Sequence, residues 1–398
     1  MKNRDIYLSK LLDYKDTSLI KVITGVRRCG KSSLLDLLEM HLVENGISKD
    51  AIVRINFESL DFDGIATYKG LNEYVKASTT SAPKTYVLLD EVQMVAEWER
   101  AVNSLRLDSG YDLYITGSNS HLLSSEISTL LSGRYVEIKM LPLSFKEYLE
   151  FNDIGKANPE AAFSRYLEYG GFPGISEFLG NESAIAPYLE GIYNTIVLKD
   201  VILRNAVRDP ALLESITRYL AGIIGNLISS NKVSGYLTSI GRKTTSETVD
   251  NYIRMLESAY IFYQVGRYDI RGKARLKTQG KYYIVDTGIR NELVGQRGSD
   301  YGSVLENVVF FELKRRGYSI SRGQFNDLEV DFVATKASET LYVQVTSTML
   351  DEATRKRELE PLQLIPDNYR KIILSMDKAG FTDFEGIESF YLLDFLLE

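Results

Sequence analysis

The run from Gly25 to Ser32 carries the clearest chemistry in this chain. Its letters, GVRRCGKS, fit the pattern G-x-x-x-x-G-K-[ST], a loop that cradles the phosphates of a nucleotide. Lys31 would place its ammonium on the β- and γ-phosphates, and the Ser32 hydroxyl would bind Mg²⁺. Backbone amides of the loop and of a following helix would complete the phosphate site. The residues predicted to line it are Gly25, Val26, Arg27, Arg28, Cys29, Gly30, Lys31, Ser32 and Ser33.

Two acids follow a later apolar run. Residues 85–89 predict a buried strand, and Asp90 and Glu91 come directly after it. An aspartate at this place can hold the Mg²⁺ shell, and the adjacent glutamate can take the proton of an attacking water. The alternative is an accidental pair of acids at a strand end. The phosphate loop about 60 residues earlier favours the catalytic interpretation.

Asn119 and Arg134 are further candidates for the same site. Asn119 follows the predicted strand 111–117, whose end would lie beside Asp90 in a parallel sheet, so it could orient the water; a turn-forming asparagine is the alternative. Arg134 lies between a predicted helix and a predicted strand, so its guanidinium could reach the nucleotide of a neighbouring subunit. The alternative for Arg134 is an ordinary surface arginine.

The elements that must position these residues alternate along 18–143. Such alternation predicts an α/β fold with a parallel sheet covered on both faces. The predicted strands are 19–24, 51–57, 85–90, 111–117 and 135–140, and the predicted helices are 32–44, 68–77, 97–107 and 121–131.

The rest of the chain divides into three further regions. Residues 146–205 are mainly helical, open with the capping box of Ser144 and Glu147, and contain a rigid glycine-rich break at 170–174. Helices followed by a hairpin at 206–290 are typical of a winged helix. Residues 291–398 predict a small α/β domain. The predicted domains are therefore 1–145, 146–205, 206–290 and 291–398.

The composition indicates a soluble globular protein. The net charge is −7, so any surface for nucleic acid must be local. No apolar run approaches 18 residues and the N-terminus lacks an apolar signal core, so we expect a cytoplasmic protein with no membrane partner. The single cysteine, Cys29, excludes an intrachain disulfide; it is either a tolerated small side chain or an oxidation-sensitive switch.

A local basic surface is predicted between 231 and 281. Ten Lys or Arg residues stand there against four acids, a net of +6. A helix at 246–257 with a basic hairpin after it suits double-stranded DNA, with the helix in the major groove and the hairpin cations on phosphates. The alternative is a solvated face or a protein-contact module.

These motifs together resemble a known family. Residues 19–145 resemble the AAA-family ATPase domain, with a P-loop NTPase fold, of a group of prokaryotic proteins in which that domain is fused to a C-terminal domain of unknown function. The matching pieces are GVRRCGKS, LLDEVQ, ITGSN, and LSGR before LPLSFKEY, with YGGFP at 169–173 and EVDFV at 329–333.

The resemblance implies roles for the residues above. It implies ATP and Mg²⁺ as cofactors, phosphate binding by Lys31, and Mg²⁺ binding by Ser32 and Asp90. It further implies that Glu91 is the catalytic base and that Asn119 is a sensor. Arg134 would be an arginine finger that acts in trans in a homo-oligomer.

Acids in the last region resemble those of the restriction-endonuclease-like fold. Glu329 and Asp331 would leave one face of a predicted strand, with Gln344 on the next strand and Glu306 on the preceding helix, so their oxygens could hold a second metal ion. Thr346 stands where such nucleases carry a lysine. A degenerate domain that contacts DNA or protein is therefore favoured over an active nuclease, and the remaining alternative is an ordinary exposed face of an alternating strand.

Three functions remain open at this stage. The first is an Mg²⁺-dependent AAA-type ATPase that moves its C-terminal DNA- or protein-binding domains. The second is an ATP-regulated, metal-dependent nuclease. The third is a nucleotide-gated scaffold with little turnover. Glu91 favours the first, because a pure binder has no need of an acid beside the metal-holding aspartate.

Overall fold

A computed structural model gives the fold of the chain. It describes residues 2–79, 82–118, 122, 131, 133–155, 158–296, 300–378 and 383–398, without the side chains of 275–279. The chain forms two compact units. Unit 1 comprises residues 1–142 and 258–260, and unit 2 comprises residues 143–257 and 261–398.

Unit 1 is a five-stranded parallel sheet with helices. Its strands are β1 (Ile20–Thr24), β2 (Ile52–Asn56), β3 (Thr85–Asp90), β4 (Tyr111–Gly117) and β5 (Tyr135–Lys139). Its helices are α1 (Asp5–Leu12), α2 (Lys31–Glu44), α3 (Tyr68–Ala77) and α4 (Trp98–Arg106). The α/β fold class with a parallel sheet is confirmed. The helix predicted at 121–131 falls almost wholly outside the described residues.

The strand order of unit 1 decides which loops can meet. The order is β2-β3-β4-β1-β5, and the paired strands are parallel. The carboxyl ends of β1, β3 and β4 therefore share one edge of the sheet, where ligands bind in open α/β folds. Strands β1, β3 and β4 are almost entirely buried, which explains why their sequences are mainly apolar.

Unit 2 contains helices along its whole length. They are α5 (Phe145–Phe151), α6 (Pro159–Tyr169), α7 (Ile185–Thr195), a π-helix (Ile196–Leu203), α8 (Pro210–Gly222), α9 (Ser230–Ser239), α10 (Ser246–Ser258), α11 (Thr287–Val294), α12 (Tyr301–Arg315), α13 (Glu352–Gln363) and α14 (Leu392–Leu397). The predicted capping box is present: Ser144 and Glu147 each accept the other's backbone N–H at the start of α5.

A mixed sheet of nine strands runs through unit 2. Its strands are β6 (Leu227–Ile228), β7 (Phe262–Asp269), β8 (Ala274–Ile284), β9 (Ser319–Phe325), β10 (Leu328–Lys336), β11 (Glu339–Val345), β12 (Arg370–Ser375), β13 (Asp383–Phe384) and β14 (Ile387–Tyr391). Their order is β13-β14-β12-β11-β10-β9-β7-β8-β6. Because β7 pairs with β9, strands from 206–290 and from 291–398 share this sheet. The boundary predicted between those two regions stays a prediction.

The glycine-rich break has a packing reason. Gly170 has a φ of +83°, and a Cβ atom there would lie 2.0 Å from Oδ1 of Asp286. The Asp286 carboxylate accepts the amide of Gly171 at 2.6 Å and also accepts the amides of Gly288 and Ile289 at the start of α11. The glycine-rich break therefore leaves room for the buried Asp286 carboxylate and donates a hydrogen bond to it.

Candidate functional site

The loop between β1 and α2 has the backbone shape that its glycines permit. Gly25 has a φ of +147°, and a Cβ atom there would lie 2.2 Å from the carbonyl oxygen of Met140. Gly30 has a φ of +103° and stands at the start of α2. Among the described residues, no side chain caps this helix start. Its first amides therefore lack intrahelical acceptors and can bind an anion, which the helix dipole also favours.

The Lys31 side chain is buried within this loop. Its ammonium donates to the carbonyl oxygens of Gly25, at 3.2 Å, and Val26, at 3.3 Å. It also lies 3.9 Å from Oε1 of Glu91. The predicted phosphate ligand and the predicted base therefore face the same small space.

Thr116 holds the two acids at the carboxyl end of β3. Strands β3 and β4 are parallel neighbours, and the Thr116 hydroxyl donates to Oδ1 of Asp90. The hydroxyl oxygen of Thr116 also accepts the backbone amide of Glu91 at 2.9 Å. All three side chains are buried. Sequence reasoning gave Thr116 no role, although a threonine near the end of the strand beside Asp90 was the available signal.

Glu91 has its own local support. Its φ is +54°, a left-handed conformation that is costly for a residue with a side chain. The side-chain amide of Gln93 donates to Oε2 of Glu91. The oxygen of that amide, Oε1, is buried and has no hydrogen-bond partner among the described residues. A strained backbone and a fixed carboxylate are typical of a position where orientation matters.

Arg54 is a second site residue that sequence reasoning missed. It lies on β2, and its Nη2 is 3.4 Å from Oδ2 of Asp90 and 3.1 Å from Oδ1 of Asp36. The same atom lies 3.5 Å from the carbonyl oxygen of Ser32. An alternating arginine in a short strand gives no signal of these contacts.

The other predicted residues of unit 1 have different outcomes. Asn119 lies outside the described residues, so its role as a sensor stays a prediction. Arg134 is exposed, and its Nη1 donates to Oδ1 of Asn103 at 3.0 Å. Cys29 is fully buried, and burial raises the pKa of its thiol. A protonated, inaccessible thiol disfavours the oxidation switch.

In unit 2, Lys281 stands among the acids predicted as a second metal site. Its Nζ lies 2.7 Å from Oε1 of Glu306, 2.6 Å from Oε1 of Glu329 and 3.4 Å from Oδ1 of Asp331. Lys281 comes from β8, Glu306 from α12 and the other two acids from β10. An ammonium therefore lies between the carboxylates.

Gln344, the fourth predicted member, is bonded through both atoms of its amide. Its Oε1 accepts the amide of Asp331 at 3.2 Å, and its Nε2 donates to Glu358 at 2.7 Å. Burial and the nearby Asp331 raise the pKa of Glu306 to about 8. Burial alone would lower the pKa of Lys281, but the surrounding carboxylates raise it. The described residues contain no group of three His, Cys, Asp or Glu side chains arranged to hold a metal ion.

The predicted basic surface is partly exposed. Lys281, counted among its ten cations, is buried and paired, so that part of the prediction is wrong. No local pattern in the sequence indicated that the acids near Lys281 would enclose it. The apolar positions of α10 are buried, as its spacing predicted. Among the side chains that the structure describes, the exposed cations are Lys232, Arg242, Lys243, Arg254, Arg271 and Lys273.

No helix among the described residues is long and apolar enough to cross a bilayer.

Family models match two parts of the chain. Residues 17–149 match an AAA domain, and residues 160–300 match a domain of unknown function, DUF8612. Among solved structures, the Orc1 protein of Aeropyrum pernix in complex with DNA is 13% identical and covers 74% of this chain and 92% of its own, with a TM-score of 0.31. A TM-score this low adds nothing to the assignment.

Two relatives that align with most of the chain show the family. An uncharacterized protein of Haemophilus influenzae is 42% identical, over 100% of this chain and 99% of its own length. An uncharacterized protein of Methanocaldococcus jannaschii, MJ1544, is 31% identical, over 95% and 86%. The chain therefore belongs to the family of these two proteins, and its N-terminal part is an AAA domain, an ATPase-like nucleotide-binding module with a P-loop.

Proposed function

We propose that this protein is an Mg²⁺-dependent ATPase that releases phosphate from ATP. One observation carries the proposal: Lys31, Asp90 and Glu91 converge at the sheet edge where the phosphate loop ends. The 3.9 Å between Nζ of Lys31 and Oε1 of Glu91 leaves the base beside the ammonium that would hold the phosphates. A site built only to retain nucleotide would not need that base.

The residues present fit a nucleotide with its metal ion. The uncapped start of α2 offers amides to phosphate oxygens, and the exposed Ser32 and the Asp90 carboxylate are oxygen donors of the type that Mg²⁺ prefers. Mg²⁺ would neutralise charge on the phosphates. Lys31 would leave its loop carbonyls to bind the phosphates, and Glu91, oriented by Gln93, would accept the proton of the attacking water.

Two variants test this assignment. Lys31→Ala should lose nucleotide affinity in calorimetry, and Glu91→Gln should bind ATP but release no phosphate. Lys76→Ala and Glu73→Gln change the same residue types at exposed positions on α3 and should behave as the unchanged protein. Retained ATP affinity in Lys31→Ala would refute the site. Tight binding without phosphate release in the unchanged protein would favour the scaffold.

Arg134 is proposed as an arginine finger acting in trans, with Asn119 as the sensor of the attacking water. Arg134→Ala should bind ATP normally and turn over slowly. Mixing it with Glu91→Gln subunits should restore part of the phosphate release, because an interface in which the Arg134→Ala subunit supplies the site and the Glu91→Gln subunit supplies the finger has both groups intact. No recovery at any mixing ratio would exclude the trans arrangement.

We further propose that nucleotide turnover moves a DNA-binding module in unit 2. Helices α8, α9 and α10 followed by strands β7 and β8, with β6 paired to β8, support a winged helix. The six exposed cations support phosphate contacts. Arg271→Ala combined with Lys273→Ala should weaken duplex binding and reduce its salt dependence. An unchanged salt slope would indicate that this surface binds protein instead.

A metal-dependent nuclease is the second candidate, and Lys281 is the observation that favours it. Its ammonium supplies, from β8, the cation that Thr346 does not provide. If this candidate is correct, Mn²⁺ or Mg²⁺ should support nicking of plasmid DNA, and Asp331→Ala should abolish the nicking. An unnicked plasmid under all conditions would leave unit 2 as a binding module.

A further inference from the structure

A second cation stands on the metal side of the nucleotide site. We propose that Arg54 competes with Mg²⁺ for Asp90 and donates to phosphate itself, so that nucleotide affinity depends only weakly on Mg²⁺. This inference rests on the proposed nucleotide site and adds a regulator of its metal dependence.

The first support is the bonding of Asp90. Its side chain is 1% exposed, and its Oδ1 accepts the Thr116 hydroxyl. Its other oxygen, Oδ2, is 3.4 Å from Nη2 of Arg54. A metal ion that uses Oδ2 must therefore share it with the guanidinium or displace the guanidinium. Two cations on one buried carboxylate oxygen repel each other with little screening by salt.

The second support is the position of the guanidinium relative to α2. Nη2 of Arg54 is 3.5 Å from the carbonyl oxygen of Ser32, the residue whose hydroxyl is predicted to bind Mg²⁺. It is also 3.1 Å from Oδ1 of Asp36, one turn further along the helix. Arg54 thus bridges the strand and the helix that carry the two predicted metal ligands.

The third support is an unused donor. Nη1 of Arg54 is buried and has no hydrogen-bond partner among the described residues. A buried donor without an acceptor is costly, so a ligand that supplies one gains affinity. A phosphate oxygen beside Ser32 would supply that acceptor, and a guanidinium binds phosphate well. Without Mg²⁺, Arg54 can therefore provide part of the positive charge that the phosphates require.

The test is a ratio of two dissociation constants for ATP. Calorimetric titrations in EDTA and in saturating Mg²⁺ give the factor by which the metal tightens binding. Arg54→Met should raise this factor about three- to tenfold, the range expected for one partly buried charge contact. Arg54→Lys, which keeps the charge, should stay near the unchanged protein, and so should Lys76→Met, which removes an exposed charge from α3.

Asp36→Asn provides an independent arm with the opposite sign. Removing this partner leaves the guanidinium to Asp90, so the factor should fall below that of the unchanged protein. This arm decides the matter if Arg54→Met does not fold, which circular dichroism would show. An unchanged factor in either folded variant overturns the inference.

Two further outcomes separate the inference from the proposed function. If Arg54→Met weakens ATP binding equally in EDTA and in Mg²⁺, Arg54 is an ordinary phosphate ligand and the competition is refuted, while the nucleotide site stands. If the unchanged protein binds no ATP in either solution, the nucleotide site itself is refuted, and the role of Arg54 with it.

Discussion

Thr116→Val should show how strongly one hydroxyl organises the catalytic edge of unit 1. Valine has nearly the same shape as threonine, so the substitution opens no cavity at this fully buried position. It removes the donor to Asp90 and leaves the amide of Glu91 without its acceptor. A hydrogen bond to a charged group contributes about 2 kcal/mol and a neutral one about 1 kcal/mol, so unit 1 should lose about 3 kcal/mol.

Thr116→Ser is the matched control for this prediction. Serine keeps the hydroxyl and loses one buried methyl group, which should cost about 1 kcal/mol. The valine variant should therefore be about 2 kcal/mol less stable than the serine variant, because the hydrogen-bond loss of about 3 kcal/mol exceeds the methyl loss of about 1 kcal/mol by that amount.

The assay can be confined to unit 1. Trp98 is the only tryptophan of the chain and is 4% exposed, so its fluorescence during urea unfolding follows this unit. Phosphate release should also fall in Thr116→Val, because Asp90 and Glu91 lose their common support. A valine variant as stable as the serine variant would refute the reasoning, as would unchanged turnover.

Four outcomes in other parts of the chain follow from burial and charge. Gly170→Ala should destabilise unit 2 by more than about 2 kcal/mol in urea unfolding, because its Cβ would lie 2.0 Å from Asp286; an unaffected midpoint would contradict this. Lys281→Met should lower the free energy of unfolding by about 3 kcal/mol in the same assay, and Lys281→Arg, which keeps the charge, should lower it clearly less. Equal stability of the two variants would show that the carboxylates need no cation. Because burial raises the pKa of Cys29, native protein should resist iodoacetamide until urea unfolds it, and rapid labelling seen by mass spectrometry would argue otherwise. Burial raises the pKa of Glu257 from 4.5 to about 6. The contribution of this carboxyl group to the free energy of unfolding is therefore complete below pH 4.5 and is lost as the pH rises through 6. Thermal unfolding should show this loss, about 1–2 kcal/mol, relative to Glu257→Gln, whose pH profile should be flatter; parallel profiles would exclude it.

The framework of unit 1 could be predicted because its signals are local. Strand β3 is an apolar run that ends at Asp90, and α3 and β3 begin and end at the predicted residues. The phosphate loop and the pair Asp90-Glu91 are contiguous motifs, so their types and order were visible. Adjacency of β3 and β4 followed from the parallel arrangement and is confirmed by their pairing.

The contacts of Arg54 and Lys281 could not be predicted, because they join distant parts of the chain. Arg54 and Asp90 are 36 residues apart, and Lys281 and Asp331 are 50 apart. Periodicity relates residues within one element and says nothing of such pairs. For the same reason the basic stretch appeared uniformly available for phosphate, although three carboxylates enclose one of its members.

The shortest elements were also missed. The strands β6 and β13 have two residues each, too few for any alternation to be recognised. Residues 259–268 also predict a strand, the first of the hairpin within 206–290, and this strand begins three residues later, at Phe262. Tyr260, before it, has a φ of +58°, which lies outside the extended region and delays the start.

Unit 1 is built from two separate segments of the chain, and this has a practical consequence for the design of truncated proteins. Its second segment is only three residues, 258–260, of which Ala259 and Tyr260 are buried. A recombinant fragment that ends at residue 142 would lack both side chains, and the residues that they cover would be exposed to solvent. Nucleotide assays on such a truncated polypeptide would measure a unit 1 that lacks part of its core. Every measurement of ATP affinity should therefore use the intact protein.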